Sequence, residues 1–252
     1  MKTFEMSLAA LAAAVSLSAF AAPTAAAPAA KSVVLVHGAF ADGSSWDAVV
    51  PLLQAKGLNV IAVQNPLTSL ADDVAFTKRA LKNVEGPVVL VGHSWGGVVI
   101  TEAGVDDKVK SLVYVAAFAP SEGQSVAELA KDYPTPPGIA NLVSDAEGFL
   151  TMTAPELAKN FAPDLPASKT ALMAASQGPV RGKNFEDKVS AAAWKTKPSW
   201  FIVATKDRMI QPELQQAMAK RIGAHTTALS TSHVPMLVAP KDVAAAILAA
   251  AK

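Results

Sequence analysis

The sequence predicts a doubly wound, mostly parallel α/β sheet with a small helical cap inserted into it. Three observations support this fold class. Short runs of branched apolar residues alternate with helix-compatible segments over residues 32–118. One of these runs ends in a glycine-rich turn that leads directly into a helical segment. The alternation stops over residues 121–196 and resumes at residue 199, which is typical of an insertion into a βα framework.

Composition narrows the class of protein. The chain has 252 residues, of which 51% are hydrophobic, and a net charge of +1. This length fits one domain with an insertion. The balanced charge gives no electrostatic reason to expect nucleic acid as a partner. The chain contains no cysteine, which excludes disulfides, thiolate zinc sites and cysteine nucleophiles.

The N-terminal 30 residues predict a targeting segment and a spacer. Lys2 precedes the apolar stretch 8–20, and Ala19-Phe20-Ala21 forms a small-residue cleavage site. We expect a signal peptide over 1–21, a disordered Pro- and Ala-rich spacer over 22–30 and the folded domain over 31–252. The stretch is short for a membrane span, and an Ala-rich helix kept in the mature protein is the alternative. The expected location is periplasmic or secreted.

The first half of the domain predicts a βαβαβαβ order with right-handed crossovers. The predicted strands cover residues 32–36, 59–63, 88–91 and 111–118. The predicted helices cover residues 46–56, about 69–83 and 96 to about 105. Ser69 or Thr68 is the expected cap of the second helix, since Asp72 and Asp73 follow in its first turn.

Residues 121–196 predict the cap, with no clear strand and with short helices at 126–131, 154–161 and 168–175. Six apolar cap residues could face a pocket or simply pack the cap onto the sheet: Phe149, Met152, Leu157, Phe161, Leu172 and Met173. Beyond the cap, a strand is expected at 199–204, a helix from Pro212 to about 222, a strand at 226–229 and a final helix from about Pro240.

The turn Gly92-His93-Ser94-Trp95-Gly96 carries a G-x-S-x-G pattern between a strand and a helix. A sharp turn of this kind strains its central residue and leaves no room for bulky neighbours, so the glycines predict an exposed Ser94 hydroxyl. The alternative is a nucleotide-binding βα turn. That alternative is weak, because the turn is neither G-x-G-x-x-G nor a P-loop with its lysine.

A serine hydroxyl needs a base, and the base needs an orienting carboxylate. In a doubly wound sheet, functional residues follow the C-terminal ends of strands. Among the four histidines, His37 and His93 occupy turns and His225 precedes a strand, which leaves His233. Among the carboxylates, Asp207 follows the strand at 199–204. A capping role for Asp207 and a structural role for His233 remain open, and His37 is expected to stabilise its turn.

Five segments carry a resemblance to a known family, at residues 34–40 (V-L-V-H-G-A-F), 91–97 (V-G-H-S-W-G-G), 113–120, 204–208 (A-T-K-D-R) and 232–236 (S-H-V-P-M). They resemble bacterial α/β hydrolases, in particular the branch that includes plant methyl esterases and hydroxynitrile lyases. The resemblance implies Ser94, Asp207 and His233 as the catalytic triad. It implies the backbone N–H groups of Ala39 and Trp95 as the oxyanion hole.

The lyases of that branch carry Thr at the second position of the His-Gly pair and Lys after the catalytic His. Gly38 and Val234 stand at those positions here, which argues against cyanohydrin chemistry. We therefore expect a carboxylic ester hydrolase that acts on small to medium neutral esters through an acyl-enzyme. Phe40 and Phe118 are the expected substrate-binding residues, and no metal or organic cofactor is required.

Two alternatives stay open from the sequence. The first is another chemistry on the same scaffold, such as lactone opening, amide cleavage or perhydrolysis. The second is a protein that binds a ligand without turnover. The expected partner is a small-molecule ester, with no nucleic acid and no stable membrane span once the signal peptide is removed. Motifs do not indicate the oligomeric state.

Overall fold

The computed structural model describes Met1 and residues 29–252. The predicted signal peptide and most of the predicted spacer therefore lie outside the described residues. Ala30, the last residue of that spacer, already belongs to the fold. It is buried, and its N–H donates to the Ala251 carbonyl at 2.8 Å.

A six-stranded parallel sheet forms the centre of the molecule, as predicted. Its strands are β1 (Ser32–Val36), β2 (Asn59–Val63), β3 (Val88–His93), β4 (Val109–Val115), β8 (Ser199–Ala204) and β9 (His225–Leu229). They pair in the order β2-β1-β3-β4-β8-β9. The central strands β1, β3 and β4 are almost wholly buried, because helices cover both faces of the sheet.

Helices pack in two layers against this sheet. They are α1 (Val50–Gln54), α2 (Leu70–Lys82), α3 (Gly96–Ala103), α7 (Pro212–Arg221), α8 (Pro235–Val238) and α9 (Pro240–Ala250). α2 packs against α3, and α1 packs against α9. The N-cap of α2 is Ser69, whose hydroxyl accepts the Asp72 N–H at 3.0 Å. This doubly wound arrangement confirms the predicted fold class.

Two predicted elements of the sheet domain differ from their predicted bounds by three residues or more. The predicted helix at 46–56 is a 3₁₀ turn, Gly43–Trp46, followed by the short α1. Pro51 has no N–H to give to a helix interior, so it occupies the first turn of α1 instead. The predicted strand at 111–118 ends at Val115, because Ala116 adopts a left-handed backbone conformation with φ of 43°.

The cap contains strands that sequence reasoning did not predict. A small antiparallel sheet joins β5 (Val143–Ser144), β6 (Phe149–Thr151) and β7 (Val180–Arg181). Strands of two or three residues are too short to show an alternating pattern. The hairpin between β5 and β6 is closed by Asp145, whose carboxylate accepts the N–H groups of Glu147 and Phe149, both at 2.9 Å.

The helical part of the cap agrees with the prediction. It consists of α4 (Val126–Ala130), α5 (Ala154–Glu156), a π-helical turn (Leu157–Phe161) and α6 (Ala167–Ser176). Two further 3₁₀ turns, Gly182–Glu186 and Ala193–Lys195, return the chain to the sheet. Within residues 29–252, no helix combines the length and apolar character that crossing a membrane requires.

Candidate active site

Ser94 lies at the sharp turn between β3 and α3 and has φ of 51°, a left-handed conformation that is strained for serine. Glycine is required on both sides of Ser94 because other backbone atoms approach these positions closely. A Cβ on Gly92 would collide with the backbone of Gly96, and a Cβ on Gly96 would lie 2.5 Å from the Val36 carbonyl oxygen. The Ser94 carbonyl accepts the Phe118 N–H at 3.2 Å. This contact ties the turn to the loop after β4.

The fold brings Ser94, His233 and Asp207 together. The Ser94 hydroxyl donates to His233 Nε2 at 2.9 Å, and His233 Nδ1–H donates to Asp207 Oδ2 at 2.7 Å. All three residues are buried, and their side chains come from the loops after β3, β9 and β8. The three residues singled out from the sequence thus form one continuous hydrogen-bonded chain. Such a chain can transfer a proton from the hydroxyl to the imidazole.

Asp207 is held by its own loop and by a residue that sequence reasoning missed. Its Oδ1 accepts the N–H groups of Met209 and Ile210 at 2.7 and 3.1 Å. Its Oδ2 also accepts from Gln215 Nε2 at 2.7 Å. Gln215 is fully buried on α7, and its Oε1 accepts the Ala204 N–H at 3.0 Å. The sequence does carry one signal that could have identified Gln215. It is a polar residue on the apolar face of α7, one turn before Met218.

His93 and His37 support the site from beneath. His93 Nε2–H donates to the His233 carbonyl at 2.8 Å, and its ring lies 4.7 Å from the His233 ring. His37 Nε2 accepts the Asn65 N–H at 2.9 Å, which holds the loop after β1, as expected for a turn histidine. Burial lowers the pKa of His37, and burial together with the nearby His233 lowers the pKa of His93 well below its ordinary value. Both imidazoles are therefore neutral at physiological pH.

Trp95 directs its side chain into the core and away from the cavity. Its indole N–H donates to Asp73 Oδ2 at 2.7 Å, and Asp73 Oδ1 accepts the Leu67 N–H at 2.8 Å. Burial raises the pKa of Asp73 to about 6, although these two hydrogen bonds oppose the rise. Only the backbone of Trp95 is left to face the reacting groups.

The backbone N–H groups of Ala39 and Trp95 follow β1 and β3, which are neighbouring strands. In the described part of the chain neither N–H donates to a protein acceptor. The strand order changes direction at this pair of strands, where doubly wound sheets form a crevice. Both groups therefore remain available to a ligand oxygen near Ser94.

A cavity of about 270 Å³ opens above Ser94 and His233. Phe40 and Phe118, the predicted substrate-binding residues, are among those that line it. The cap contributes mainly apolar residues to its wall: Val126, Ala127, Ala130, Tyr133, Pro134, Thr135, Pro136, Ile139, Leu142, Leu150 and Phe185. No aspartate, glutamate, lysine or arginine is among the described residues that line it.

The six cap residues proposed from the sequence as pocket candidates do not line this cavity. Leu157 and Phe161 are fully buried in the core, and Leu172 is 59% exposed. Met173 borders a separate small cavity beneath Phe40. The cap residues of the cavity wall come mainly from α4 and the Pro-rich loop that follows it, with Leu150 of β6 and Phe185 of the 3₁₀ turn Gly182–Glu186 beside them.

Over the described residues, no group of three or more His, Asp or Glu side chains is arranged to hold a metal ion. The polar side chains that line the cavity are those of Ser94, His233, Tyr133, Thr135 and Gln211. Ser94, His233 and the two free backbone N–H groups are the polar groups nearest the reacting atoms. Their arrangement suits nucleophilic attack on a carbonyl carbon and stabilisation of the resulting oxyanion.

Comparisons with known proteins identify the family. The model of the alpha/beta hydrolase family matches residues 33–246. The pyrethroid hydrolase of Sphingobium wenxiniae is 36% identical over 106 residues, a match that covers 36% of this chain and 37% of the relative. Salicylic acid-binding protein 2 of Nicotiana tabacum is 28% identical over 252 residues, covering 86% of this chain and 96% of that protein.

Solved structures show the same fold. A pyrethroid hydrolase structure has a TM-score of 0.77 at 24% identity, covering 87% of this chain and 96% of that one. Polyneuridine aldehyde esterase has a TM-score of 0.75 at 19% identity, covering 88% and 99% of the two chains. With the family model matched from β1 to α9 and with hydrolases and methylesterases among its relatives, the chain belongs to the alpha/beta hydrolase family, as an esterase-like enzyme.

Proposed function

We propose that this protein is a serine carboxylic ester hydrolase that acts on small to medium neutral esters. The observation that supports it best is the hydrogen-bonded chain from Ser94 through His233 to Asp207, with links of 2.9 and 2.7 Å. At Ser94, these hydrogen-bonded side chains face an apolar cavity. Relatives named as esterases and hydrolases favour the same reaction class.

In the proposed reaction, His233 takes the Ser94 proton while the serine oxygen attacks the acyl carbon. The N–H groups of Ala39 and Trp95 stabilise the tetrahedral oxyanion, and loss of one such donor typically costs about 3 kcal/mol of transition-state stabilisation. The imidazolium then protonates the leaving alcohol. A water molecule, deprotonated by His233, cleaves the acyl-enzyme, and Asp207 holds the imidazole tautomer throughout.

The preference for neutral substrates follows from the cavity wall. An anionic ester would lose its hydration without meeting a lysine or arginine among the described lining residues. The volume of about 270 Å³ lies near the lower end of small-molecule sites, which favours compact acyl and alcohol groups over long chains.

The lack of space for a side chain at position 38 favours hydrolysis over cyanohydrin cleavage at this site. A Cβ at this position would lie 2.7 Å from Ser94 Cβ. The threonine of the resembling lyases therefore does not fit here without a shift of the turn. Val234 in place of their lysine also removes the cation that would follow the histidine.

A panel of neutral and anionic chromogenic esters of graded size tests this proposal, with a fluorophosphonate probe for the nucleophile. Ser94→Ala is expected to abolish both labelling and turnover while the protein stays folded. Ser168→Ala, which changes an exposed serine of the cap, is the matched control. Labelling of the Ser94→Ala protein, or hydrolysis of anionic esters alone by the wild type, would contradict the proposal.

A further inference from the structure

One segment of the cap contacts the loops of both His233 and Asp207. This segment, residues 157–164, is called the cap strap below. It begins with a π-helical turn closed by the Ala162 N–H, which donates to the Leu157 carbonyl at 3.0 Å. Turns of this type are rare in proteins, and those that occur are often located at functional sites. Here the consecutive residues Asn160 and Phe161 are both buried.

Phe161 packs against the imidazole of His233. The two ring centroids are 4.9 Å apart and the rings are nearly perpendicular, at 76°. The Phe161 ring also lies edge-on to His93, at 6.3 Å. Since Phe161 is fully buried and does not line the cavity, its contact restricts the His233 imidazole from outside the cavity.

Asp164 holds the residue that precedes His233. Its Oδ2 accepts the Ser232 N–H at 2.8 Å, and its Oδ1 accepts the Ser232 hydroxyl. Ser232 is buried, so both of its donors need a partner within the protein. Hydrogen bonds to a carboxylate are stronger than neutral ones. Asp164 therefore limits the backbone positions open to His233.

The strap also contacts the loop of the acid. Asn160 Oδ1 accepts from Arg208 Nε at 2.7 Å, and Arg208 directly follows Asp207. The Asn160 amide is oriented by Glu156, whose Oε2 accepts from its Nδ2 at 2.5 Å. Three residues of the cap strap, Asn160, Phe161 and Asp164, thus reach the two loops that carry the base and its carboxylate.

From these contacts we propose that the cap strap positions the catalytic histidine, with Asp164 and Phe161 as positioning residues. This inference rests on the proposed function. It gives the cap a second role besides walling the pocket. A catalytic base needs to be held within a fraction of an ångström, and the residues that support it determine that accuracy. The loop before His233 has no regular structure of its own between Leu229 and Pro235.

The test compares Asp164→Ala and Phe161→Leu with matched controls. Glu147→Ala removes another exposed cap carboxylate, and Phe201→Leu shortens a buried aromatic residue that stacks on Tyr114 instead of His233. For each purified variant, kcat and KM are measured on one neutral ester. The His233 Nδ1–H resonance is measured by NMR, with histidine labelled in the ring.

Asp164→Ala is expected to lower kcat by roughly 10- to 100-fold with little change in KM, as a misplaced catalytic group does. It is also expected to broaden or lose the Nδ1–H resonance. Asp164→Asn should recover part of the loss, since its carbonyl oxygen can still accept the Ser232 N–H. Phe161→Leu should also lower kcat and alter the resonance, whereas both controls should resemble the wild type.

Wild-type kcat and an unchanged Nδ1–H resonance in both strap variants would overturn the inference. Equal losses in strap variants and their controls would do the same, because they would indicate general destabilisation. If the wild type hydrolyses none of the esters, the proposed function fails. The NMR comparison still decides whether the strap holds His233, since it needs no turnover.

Discussion

His93 Nε2–H donates to the backbone carbonyl of His233 at 2.8 Å, so the residue next to the nucleophile supports the base. The contact joins two positions 140 residues apart in the chain. Burial leaves His93 Nδ1 without a hydrogen-bond partner among the described residues. A neutral imidazole tolerates this better than a cation would, in agreement with the lowered pKa of His93.

The two buried, neutral histidines His37 and His93 predict that the folded protein loses stability in acid. The folded-state pKa values of His37 and His93 lie below the ordinary value of 6.5, so the unfolded chain binds more protons in that range. Their contribution to stability is complete above pH 6.5 and is lost as the pH falls below it. Urea unfolding at pH 7.5 and 5.5 should show a smaller pH dependence for His93→Gln than for the wild type.

His225→Gln is the control for this experiment, because His225 is exposed on the edge strand β9. Asp73 acts in the opposite sense. Its raised pKa adds stability as the pH falls through about 6. The comparison between the variants cancels this contribution, and equal pH dependence in all three proteins would contradict the prediction.

Asp207→Asn should lower kcat by on the order of 10⁴, because an amide does not hold the imidazole in the required tautomer. The Met209 and Ile210 N–H groups and Gln215 Nε2 all donate to this position. A carboxylate accepts all three of these hydrogen bonds, whereas an amide has only one oxygen to accept them. Steady-state kinetics on a neutral ester provide the measurement. A nearly unchanged kcat would show that another carboxylate orients His233.

Gln215→Leu should lower kcat about 10-fold or more, because it removes a donor to the carboxylate of Asp207, and hydrogen bonds to charged groups contribute roughly 1.5–3 kcal/mol. It should also lower the free energy of unfolding, since the Ala204 N–H and the Ile210 carbonyl lose their Gln215 contacts. Gln216→Leu, which changes the exposed neighbour, is the control. Kinetics and urea unfolding are measured together, and an unaltered kcat would remove Gln215 from the site.

Leu142→Ala and Tyr133→Ala should raise the ratio of kcat/KM for bulky over short esters, because both residues line the cavity. Contacts of this kind discriminate by roughly 1–3 kcal/mol, or about 10- to 200-fold. Leu172→Ala, on the exposed side of the cap, should leave the ratio unchanged. This assignment of the pocket wall would be refuted if Leu172→Ala changed the ratio, or if Leu142→Ala and Tyr133→Ala left it unchanged.

Export is predicted from residues outside the described part of the chain. The mature protein should begin near Ala22, because Ala19-Phe20-Ala21 forms a small-residue cleavage site. N-terminal sequencing of native material from the periplasm or medium is the measurement. Ala21→Asp should block processing, and a wild-type protein recovered from the cytoplasm with Met1 in place would contradict the prediction.

The sequence by itself determined the parallel βα framework and identified Ser94, Asp207 and His233 as candidates. These features are local. Glycines are required around the turn at Ser94, and parallel strands place whatever follows them at one edge of the sheet. The longer helical segments of the cap were likewise predictable, because residues 154–161 and α6 extend over enough residues to show a pattern.

Only the tertiary structure decided which residues surround the three side chains. Gln215, Asp164 and Ser232 contact one another or the triad across intervals of 8 to 68 residues, and no spacing along the chain encodes such pairings. The same reason explains the pocket wall. Phe161 and Tyr133 are both aromatic cap residues, but the fold buries Phe161 against His233 and leaves Tyr133 at the cavity. Apolar character predicts burial, whereas the packing of the cap decides what each side chain is buried against.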